Sequence, residues 1–103
     1  MNRFDRLQSE FPDYDIATLP PIPAGWEDSS WHNDVCPSFT IGDTAGAFLH
    51  VFVDYQNPDE RELGDFRFCV SAVDKDGDSG HIIDSDDWQA ILDTVNRETN
   101  NGA

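Results

Sequence analysis

At 103 residues and 11.6 kDa, the chain is long enough for one domain with a single hydrophobic core and leaves little room for a second. Hydrophobic residues make up 38%, with seven Phe and three Trp, which excludes a chain kept disordered by charge alone. Acidic residues number 21 and basic residues 6, giving a formal charge of -15, so nucleic acid phosphates and anionic lipid are disfavoured as direct partners. No Lys or Arg occurs between Leu7 and Glu60, and charged partners should therefore be basic.

The N-terminal part of the chain predicts a short helix and then an extended connector. Phe4, Leu7 and Phe11 are three and four residues apart, which places them on one face of a helix that Pro12 closes. Residues 13–25 contain three prolines, which fix φ and remove amide donors. This stretch therefore predicts a Pro-rich connector that lies across the domain surface.

The middle of the chain predicts three or four short antiparallel strands. In the first pieces, Val35, Phe39 and Ile41 can share a face if Pro37 lies at a sheet edge. Residues 47–55 are dense in aromatic and β-branched types and predict the central strand. Its alternation separates Leu49, Val51, Val53 and Tyr55 from Phe48, His50 and Phe52.

Residues 61–73 resume the alternation after a turn at residues 57–59 and predict the antiparallel partner of the central strand. The residues expected on one face of this partner are Phe66, Phe68, Val70 and Ala72. Residues 74–80 form a polar loop with two glycines, which we expect to lead directly into the last helix.

The strongest helical pattern follows that loop. Hydrophobic residues at offsets 0, 3, 4 and 7 are Trp88, Ile91, Leu92 and Val95. Asp84 or Ser85 is the expected cap, with Asp86 and Asp87 in the first turn and a frayed tail at residues 99–103. The chain thus predicts a single α+β domain over residues 1–103, a small antiparallel sheet packed by the C-terminal amphipathic helix and the short N-terminal helix.

No apolar run approaches the roughly 20 residues that span a bilayer, and the first residues lack the apolar stretch of a signal peptide. We therefore expect a soluble, cytoplasmic protein. Cys36 and Cys69 lie in apolar, strand-like segments, where free cysteine behaves as a small hydrophobe, so we expect both to be reduced.

Asp74, Asp76 and Asp78 alternate in a way that is similar to the start of a calcium loop, in which oxygens at positions 1, 3 and 5 bind the ion. The remaining EF-hand positions 6, 8 and 12 are occupied by Ser79, His81 and Ser85 in place of Gly, an aliphatic residue and Glu. We therefore expect a solvated acidic turn, with calcium as the alternative and no other cofactor.

Five residues are of types that bind zinc: His32, Cys36, His50, Cys69 and His81. Paired zinc ligands are usually two to five residues apart, which only the first two satisfy, so the spacing predicts no zinc site. No serine elbow, recognisable cysteine and histidine pair or phosphate-binding glycine loop occurs, so we expect no enzyme.

The excess of carboxylates favours an acidic binding or inhibitor protein that occupies a basic, nucleic-acid-binding site on another macromolecule by mimicking nucleic acid. In size and charge the chain is similar to small phage- and plasmid-encoded inhibitors such as anti-restriction and anti-CRISPR proteins, a likeness that no motif carries. One alternative is an immunity or antidote protein against a basic toxin, and another is a highly charged, halophilic type of domain with an unrelated function.

Trp26 and Trp31 are five residues apart, so on a regular strand one is buried and the other is free to anchor a partner. The alternative is that both indoles fill the small core. The residues expected to contact the partner are Glu27, Asp28, Trp31, Asp34, Asp74, Asp76, Asp78, Asp84, Asp86, Asp87 and Asp93. The oligomeric state is left open by the sequence.

Overall fold

The protein folds as a five-stranded antiparallel sheet with both helices on one face. The computed structural model describes residues 4–42 and 47–101. In chain order the elements are α1 (Asp5–Glu10), β1 (Glu27–Asp28), β2 (Ser38–Gly42), β3 (Phe48–Val53), β4 (Phe68–Val73), β5 (Ser79–Ser85) and α2 (Trp88–Asn101). The strands lie side by side in the order in which they follow one another along the chain. The predicted α+β class is confirmed, and the three or four predicted strands are five.

The strand β3 forms the centre of the sheet, as its alternation predicts. Leu49, Val51 and Val53 are buried, whereas the intervening side chains are only half-buried. β3 pairs antiparallel with β4, so that Val51 lies opposite Val70, and the predicted pairing of these two segments is confirmed.

The hydrophobic core lies between the sheet and the two helices. Leu7 of α1, Phe39 of β2 and Ile91 of α2 are completely buried there. The Phe39 ring contacts the Phe4 ring at 6.0 Å and the Trp26 ring at 6.5 Å between centroids. The helix faces predicted from the spacing of hydrophobic residues therefore do point into one core.

The connector over residues 13–25 lies against the same side of the molecule as the helices. It contains one 3₁₀ turn, Ile16–Thr18, and it is tied to α2 because the Trp88 indole donates to the carbonyl of Pro21 at 3.0 Å. The buried Tyr14 hydroxyl donates to the carbonyl of Asp54 at 3.1 Å. Neither helix of the described chain is long and apolar enough to cross a membrane.

The strand β5 is the element that the sequence did not predict. Val70 pairs with Ile83, but the next residue of β4, Ser71, pairs with His81. Ile82 is therefore an extra residue, a β-bulge, which breaks the period of two along β5. Because the segment lacks the period of two that indicates a strand, its sequence does not predict one.

Two predicted strand residues lie outside the strands. Val35 is 47% exposed and does not share a face with Phe39, because β2 begins only at Ser38, after the buried Pro37. Pro37 does not lie at a sheet edge either, since its carbonyl accepts from the amide of Val53 in β3.

Phe66 is also 47% exposed. The ladder of β4 begins two residues later, at Phe68, and so the expected face of β4 starts at that residue.

The start of α2 differs from the prediction by a few residues. Asp84 and Ser85 belong to β5, and the Asp87 carboxylate accepts from the amide of Gln89 at 3.0 Å, so Asp87 caps the helix. Asp86 consequently lies before the helix and not in its first turn. α2 continues to Asn101, which takes in part of the tail expected to fray, and residues 102–103 lie outside the described residues.

We call the face of the sheet that points away from the core the outer face. The register places on it Phe48, His50 and Phe52 of β3, Cys69 and Ser71 of β4, and His81 and Asp84 of β5. Both described helices pack on the opposite face, where α2 contacts β4 and β5.

His50 occupies the middle of the β3 row on the outer face. Its ring lies 4.2 Å from the Phe52 ring and 6.2 Å from the Phe48 ring, measured between centroids. Burial lowers the pKa of His50 from its ordinary value of 6.5, and the Asp34 carboxylate opposes this shift.

Because the folded protein binds the His50 proton more weakly than the unfolded chain does, the stability that this residue contributes is lost as pH falls from 6.5 towards its lowered pKa. We expect His50→Gln to make the free energy of unfolding less sensitive to pH over that interval. Urea unfolding at pH 8, 6 and 5 measures the effect, with His32→Gln as the control. Parallel pH profiles for the wild type and His50→Gln would contradict the assignment.

Candidate functional site

The arginines of the described chain mostly bind main-chain carbonyls and not carboxylates. Arg6, Arg61 and Arg67 donate to the carbonyl oxygens of Ser30, Tyr55, Gln56, Asp54 and Thr18 over 2.7–3.1 Å. Arg61 and Asp86, at 3.3 Å, form the one arginine–carboxylate pair within residues 4–42 and 47–101. Most of the acidic surface is therefore not neutralised by these cations.

One buried carboxylate belongs to the scaffold and not to the surface. Asp54 follows β3 and is completely buried, and it accepts from the amide of Tyr55 at 2.8 Å. It also accepts from the amides of Glu62 and Leu63 at 2.8 and 2.7 Å. Asp54 therefore holds the loop between β3 and β4 in place and is not available to a partner.

Asp28 also has a structural role, although the sequence predicted it as a partner-binding residue. Its carboxylate accepts from the amide of Leu7 in α1 at 2.8 Å and from the amide of Ser30 at 3.1 Å. The same carboxylate thus ties β1 to α1. Its neighbour Glu27 is exposed and pairs with Thr40, at the edge of the sheet.

The turn between β4 and β5 is closed by its own hydrogen bonds. The Asp74 carboxylate accepts from the amides of Asp76 and Asp78 at 2.9 and 3.0 Å, and Gly77 adopts the left-handed conformation with φ of 86°. The carboxylates of Asp76 and Asp78 are left exposed. Among the described residues, the three carboxylates of this turn do not form a group whose ligand atoms lie within 4.8 Å of one another.

This turn lies beside the C-terminal part of α2. Asp74, Asp78 and Glu98 line an open cavity of about 620 Å³ together with apolar residues of β2, β3 and β4. We call Asp74, Asp76, Asp78 and Glu98 the tip cluster. Glu98 was not among the predicted residues, because only the return of α2 along the sheet brings it to the turn.

The predicted carboxylates Asp84, Asp86 and Asp87 lie at or just beyond the far end of β5, whereas Asp93 lies in the first half of α2. Asp86 accepts from the Arg67 amide at 2.8 Å, and Asp93 on α2 accepts from the Gln89 side chain at 3.0 Å. The seven residues of β5 span roughly 20 Å at about 3.3 Å per residue. The length of β5 therefore separates the acidic turn from Asp84, Asp86 and Asp87.

One tryptophan is buried and the other exposed, although no regular strand joins them, since β1 covers only Glu27–Asp28. Trp26 is buried and its ring lies 5.5 Å from the Trp88 ring, whereas Trp31 is 47% exposed. Asp34, which is half-buried, donates its amide to the carbonyl of Trp31 at 2.9 Å. The loop between β1 and β2 thus presents Trp31 and Val35, both 47% exposed, beside an acidic side chain.

A second group of carboxylates, missed in the sequence, surrounds Tyr55 at the end of the molecule opposite the tip cluster. Asp13, Asp15 and Glu60 line a hollow of about 210 Å³ there. Burial raises the pKa of Tyr55, and the nearby carboxylates, including Asp13 and Glu60, add to the shift.

Comparison with family models, with curated proteins and with solved structures gives no match for this chain. Within the chain itself, Cys36 is completely buried, and burial raises the pKa of its thiol, so it is held as an unreactive thiol. The one described group of three potential metal ligands within 4.8 Å lies on the outer face, apart from the tip cluster. The acidic surface itself is suited to electrostatic attraction of a basic partner.

Proposed function

We propose that this chain is an acidic binding protein of the inhibitor type that occupies a basic, nucleic-acid-binding site on another macromolecule. The observation that supports the proposal is the tip cluster, whose carboxylates form no ion pair within the described residues, while Arg6, Arg61 and Arg67 are committed largely to main-chain carbonyls. Lys75 and Arg97 form no ion pair there either.

The tip cluster suits the side chains that read phosphates. Proteins bind the nucleic acid backbone through Arg and Lys, largely without regard to sequence, so an array of carboxylates can compete for the same groups. The apolar residues that share the cavity with Asp74, Asp78 and Glu98 can pack against the aliphatic stem of an Arg or Lys. The turn is already ordered by Asp74, which reduces the entropy lost on binding.

A second candidate function, an antidote to one basic protein, is favoured by the loop between β1 and β2. Trp31 and Val35 are exposed apolar side chains next to Asp34, and an exposed Trp is a typical anchor of a compact binding hot spot. Salt distinguishes the two candidates, because binding by an anchor keeps most of its affinity when charges are screened.

Two double variants with the same change in charge test the first proposal. Asp76→Asn with Asp78→Asn removes two of the four charges of the tip cluster and leaves the Asp74 hydrogen bonds intact, whereas Asp13→Asn with Glu60→Gln removes two of the three charges at the opposite end. Partners are captured from a lysate of the source cells, and each purified partner is then titrated at several salt concentrations with duplex DNA as competitor.

We expect a nucleic-acid-binding partner that duplex DNA displaces, with an affinity that falls steeply as the salt concentration rises. The tip variant should weaken binding about 10-fold, about 1.4 kcal/mol, and the opposite-end variant much less. Equal losses in the two variants would contradict a role for the tip cluster. Failure of DNA to compete, together with loss of binding in Trp31→Ala, would favour the antidote function.

A further inference from the structure

Three side chains of metal-binding types meet on the outer face of the sheet. They are Cys69 of β4 and His81 and Asp84 of β5, and their ligand atoms all lie within 4.8 Å of one another. The His81 Nε2 and Asp84 Oδ1 atoms are 3.0 Å apart, and Cys69 lies directly opposite Asp84 across the two strands. This group lies outside the tip cluster and has no part in the proposed function.

The β-bulge in β5 is what brings the three together. Cys69 and Asp84 are direct cross-strand partners, so their side chains lie on the same face. His81 and Asp84 are three residues apart and would face opposite sides of a regular strand, but the extra residue Ile82 returns His81 to the outer face. Bulges commonly redirect a side chain in this way beside functional sites.

We propose that Cys69, His81 and Asp84 form a binding site for a zinc ion, with three protein ligands and an open fourth position. Sulfur, imidazole nitrogen and carboxylate oxygen are the three donor types that Zn²⁺ takes from proteins, and sites with three protein ligands leave a position for water or a substrate. The proposal is independent of the proposed function.

The distances agree with tetrahedral coordination. Two ligands bound at about 2.0–2.1 Å in a tetrahedral site lie about 3.3 Å from each other. The present 3.0 Å between His81 and Asp84 requires a small outward movement, and both side chains are exposed enough to make it. The thiol, bound at about 2.3 Å, needs a separation of about 3.5 Å from the other two ligands, which is inside the observed limit of 4.8 Å.

The charge of the group also suits a divalent cation. A thiolate and a carboxylate together neutralise Zn²⁺, and the ion replaces the Cys69 proton, which leaves to the solvent. Ser71 follows Cys69 by two residues on the same face of β4, and its hydroxyl can support the bound thiolate. A chain with a formal charge of -15 attracts such a cation at long range.

The alternative, a cysteine nucleophile assisted by His81, agrees less well with the geometry. The His81 Nε2 atom lies 3.0 Å from the Asp84 carboxylate, so the imidazole pairs with the carboxylate. Burial and then Asp84 raise the pKa of Cys69 to about 11, which keeps the free thiol protonated at neutral pH. A bound cation removes that obstacle to ionisation.

Metal titration of the chelator-treated full chain tests the site. We expect one equivalent of Zn²⁺ to bind with release of a proton, and Co²⁺ to produce a thiolate charge-transfer band with the intense visible absorption of a four-coordinate ion. Cys69→Ser should abolish the charge-transfer band. His81→Gln and Asp84→Asn should each weaken binding at least about 100-fold, and Ser71→Ala about 10-fold.

The chain provides matched controls for both the histidine and the cysteine. His32 Nδ1 lies 3.0 Å from Glu10 Oε1, a histidine–carboxylate pair without a cysteine, so His32→Gln should leave Zn²⁺ affinity unchanged. Cys36→Ala should retain the charge-transfer band. Absence of the band in the wild type, its persistence in Cys69→Ser, or an equal loss of affinity in His32→Gln and His81→Gln would overturn the proposal.

A measurement on the wild type alone covers the case in which a variant does not fold. Cys69 is half-buried whereas Cys36 is fully buried, so an alkylating reagent should modify Cys69 first. Zn²⁺ at one equivalent should slow that modification at least about 10-fold if the thiolate is a ligand. An unchanged rate would overturn the site without any substitution.

Discussion

Replacing Phe39 with Ala is expected to lower the free energy of unfolding by about 3–5 kcal/mol. Phe39 is completely buried where β2, α1 and Trp26 meet, so the substitution removes both the burial of the ring and its contacts with the Phe4 and Trp26 rings. Urea unfolding followed by circular dichroism measures the change.

Phe66→Ala is the matched control, because the Phe66 ring is 47% exposed and its removal should change stability by no more than about 1 kcal/mol. Equal losses for Phe39→Ala and Phe66→Ala would contradict the placement of Phe39 in the core.

Replacing Asp54 with Ala is expected to lower the free energy of unfolding by about 3–5 kcal/mol, because the substitution leaves the amides of Tyr55, Glu62 and Leu63 without their acceptor. Asp54→Asn keeps one acceptor oxygen and should cost less. The measurement is again urea unfolding, at a pH near neutrality.

Asp59→Ala removes the same number of charges from an exposed position and serves as the control, with an expected change within about 0.5 kcal/mol. If Asp54→Ala were as mild as Asp59→Ala, or stabilised the protein by reducing its negative charge, the structural role assigned to Asp54 would be wrong.

The difference between Asp54 and the tip cluster is important for the proposed function. A carboxylate that accepts from main-chain amides is part of the fold, so its removal tests stability and not binding. Asp76 and Asp78 are exposed and their side chains close no part of the turn, so their neutralisation tests binding with little cost in stability. The variants chosen for the binding experiment follow this distinction.

The proposed function and the proposed zinc site can fail separately. The tip cluster lies beyond the ends of β4 and β5, whereas Cys69, His81 and Asp84 lie on the outer face of these strands. If the protein binds zinc but no basic partner, only the zinc-site proposal stands. If it binds a basic partner but no zinc, only the proposed function stands.

Sequence periodicity by itself determined the elements whose pattern is local. The alternation over Phe48–Val53 predicted both faces of β3, and the spacing of Trp88, Ile91 and Val95 predicted the buried face of α2. The spacing of Phe4, Leu7 and Phe11 likewise predicted the face of α1. The strand pattern repeats every two residues and the helix patterns every three to four. Neighbouring residues alone are therefore enough to reveal each pattern.

The candidate site was predictable only in its composition. The acidic turn at Asp74–Asp78 was evident from its residue types, but its proximity to Glu98 and its separation from Asp86 depend on β5 and on the return of α2 along the sheet. The structural role of Asp28 was hidden for the same reason, since its amide partner Leu7 lies 21 residues away in the chain.

The sequence determined the residue types, the excess of negative charge, and the strand period of two and helix period of three to four residues. Each of these depends only on a residue and its near neighbours. Only the tertiary structure decided which carboxylates are buried acceptors, where β5 runs, and that Ile82 bulges so that His81 joins Cys69 and Asp84. The physical reason is that strand register and amide–carboxylate pairing are contacts between distant parts of the chain, and one inserted residue reverses the face on which every later side chain lies.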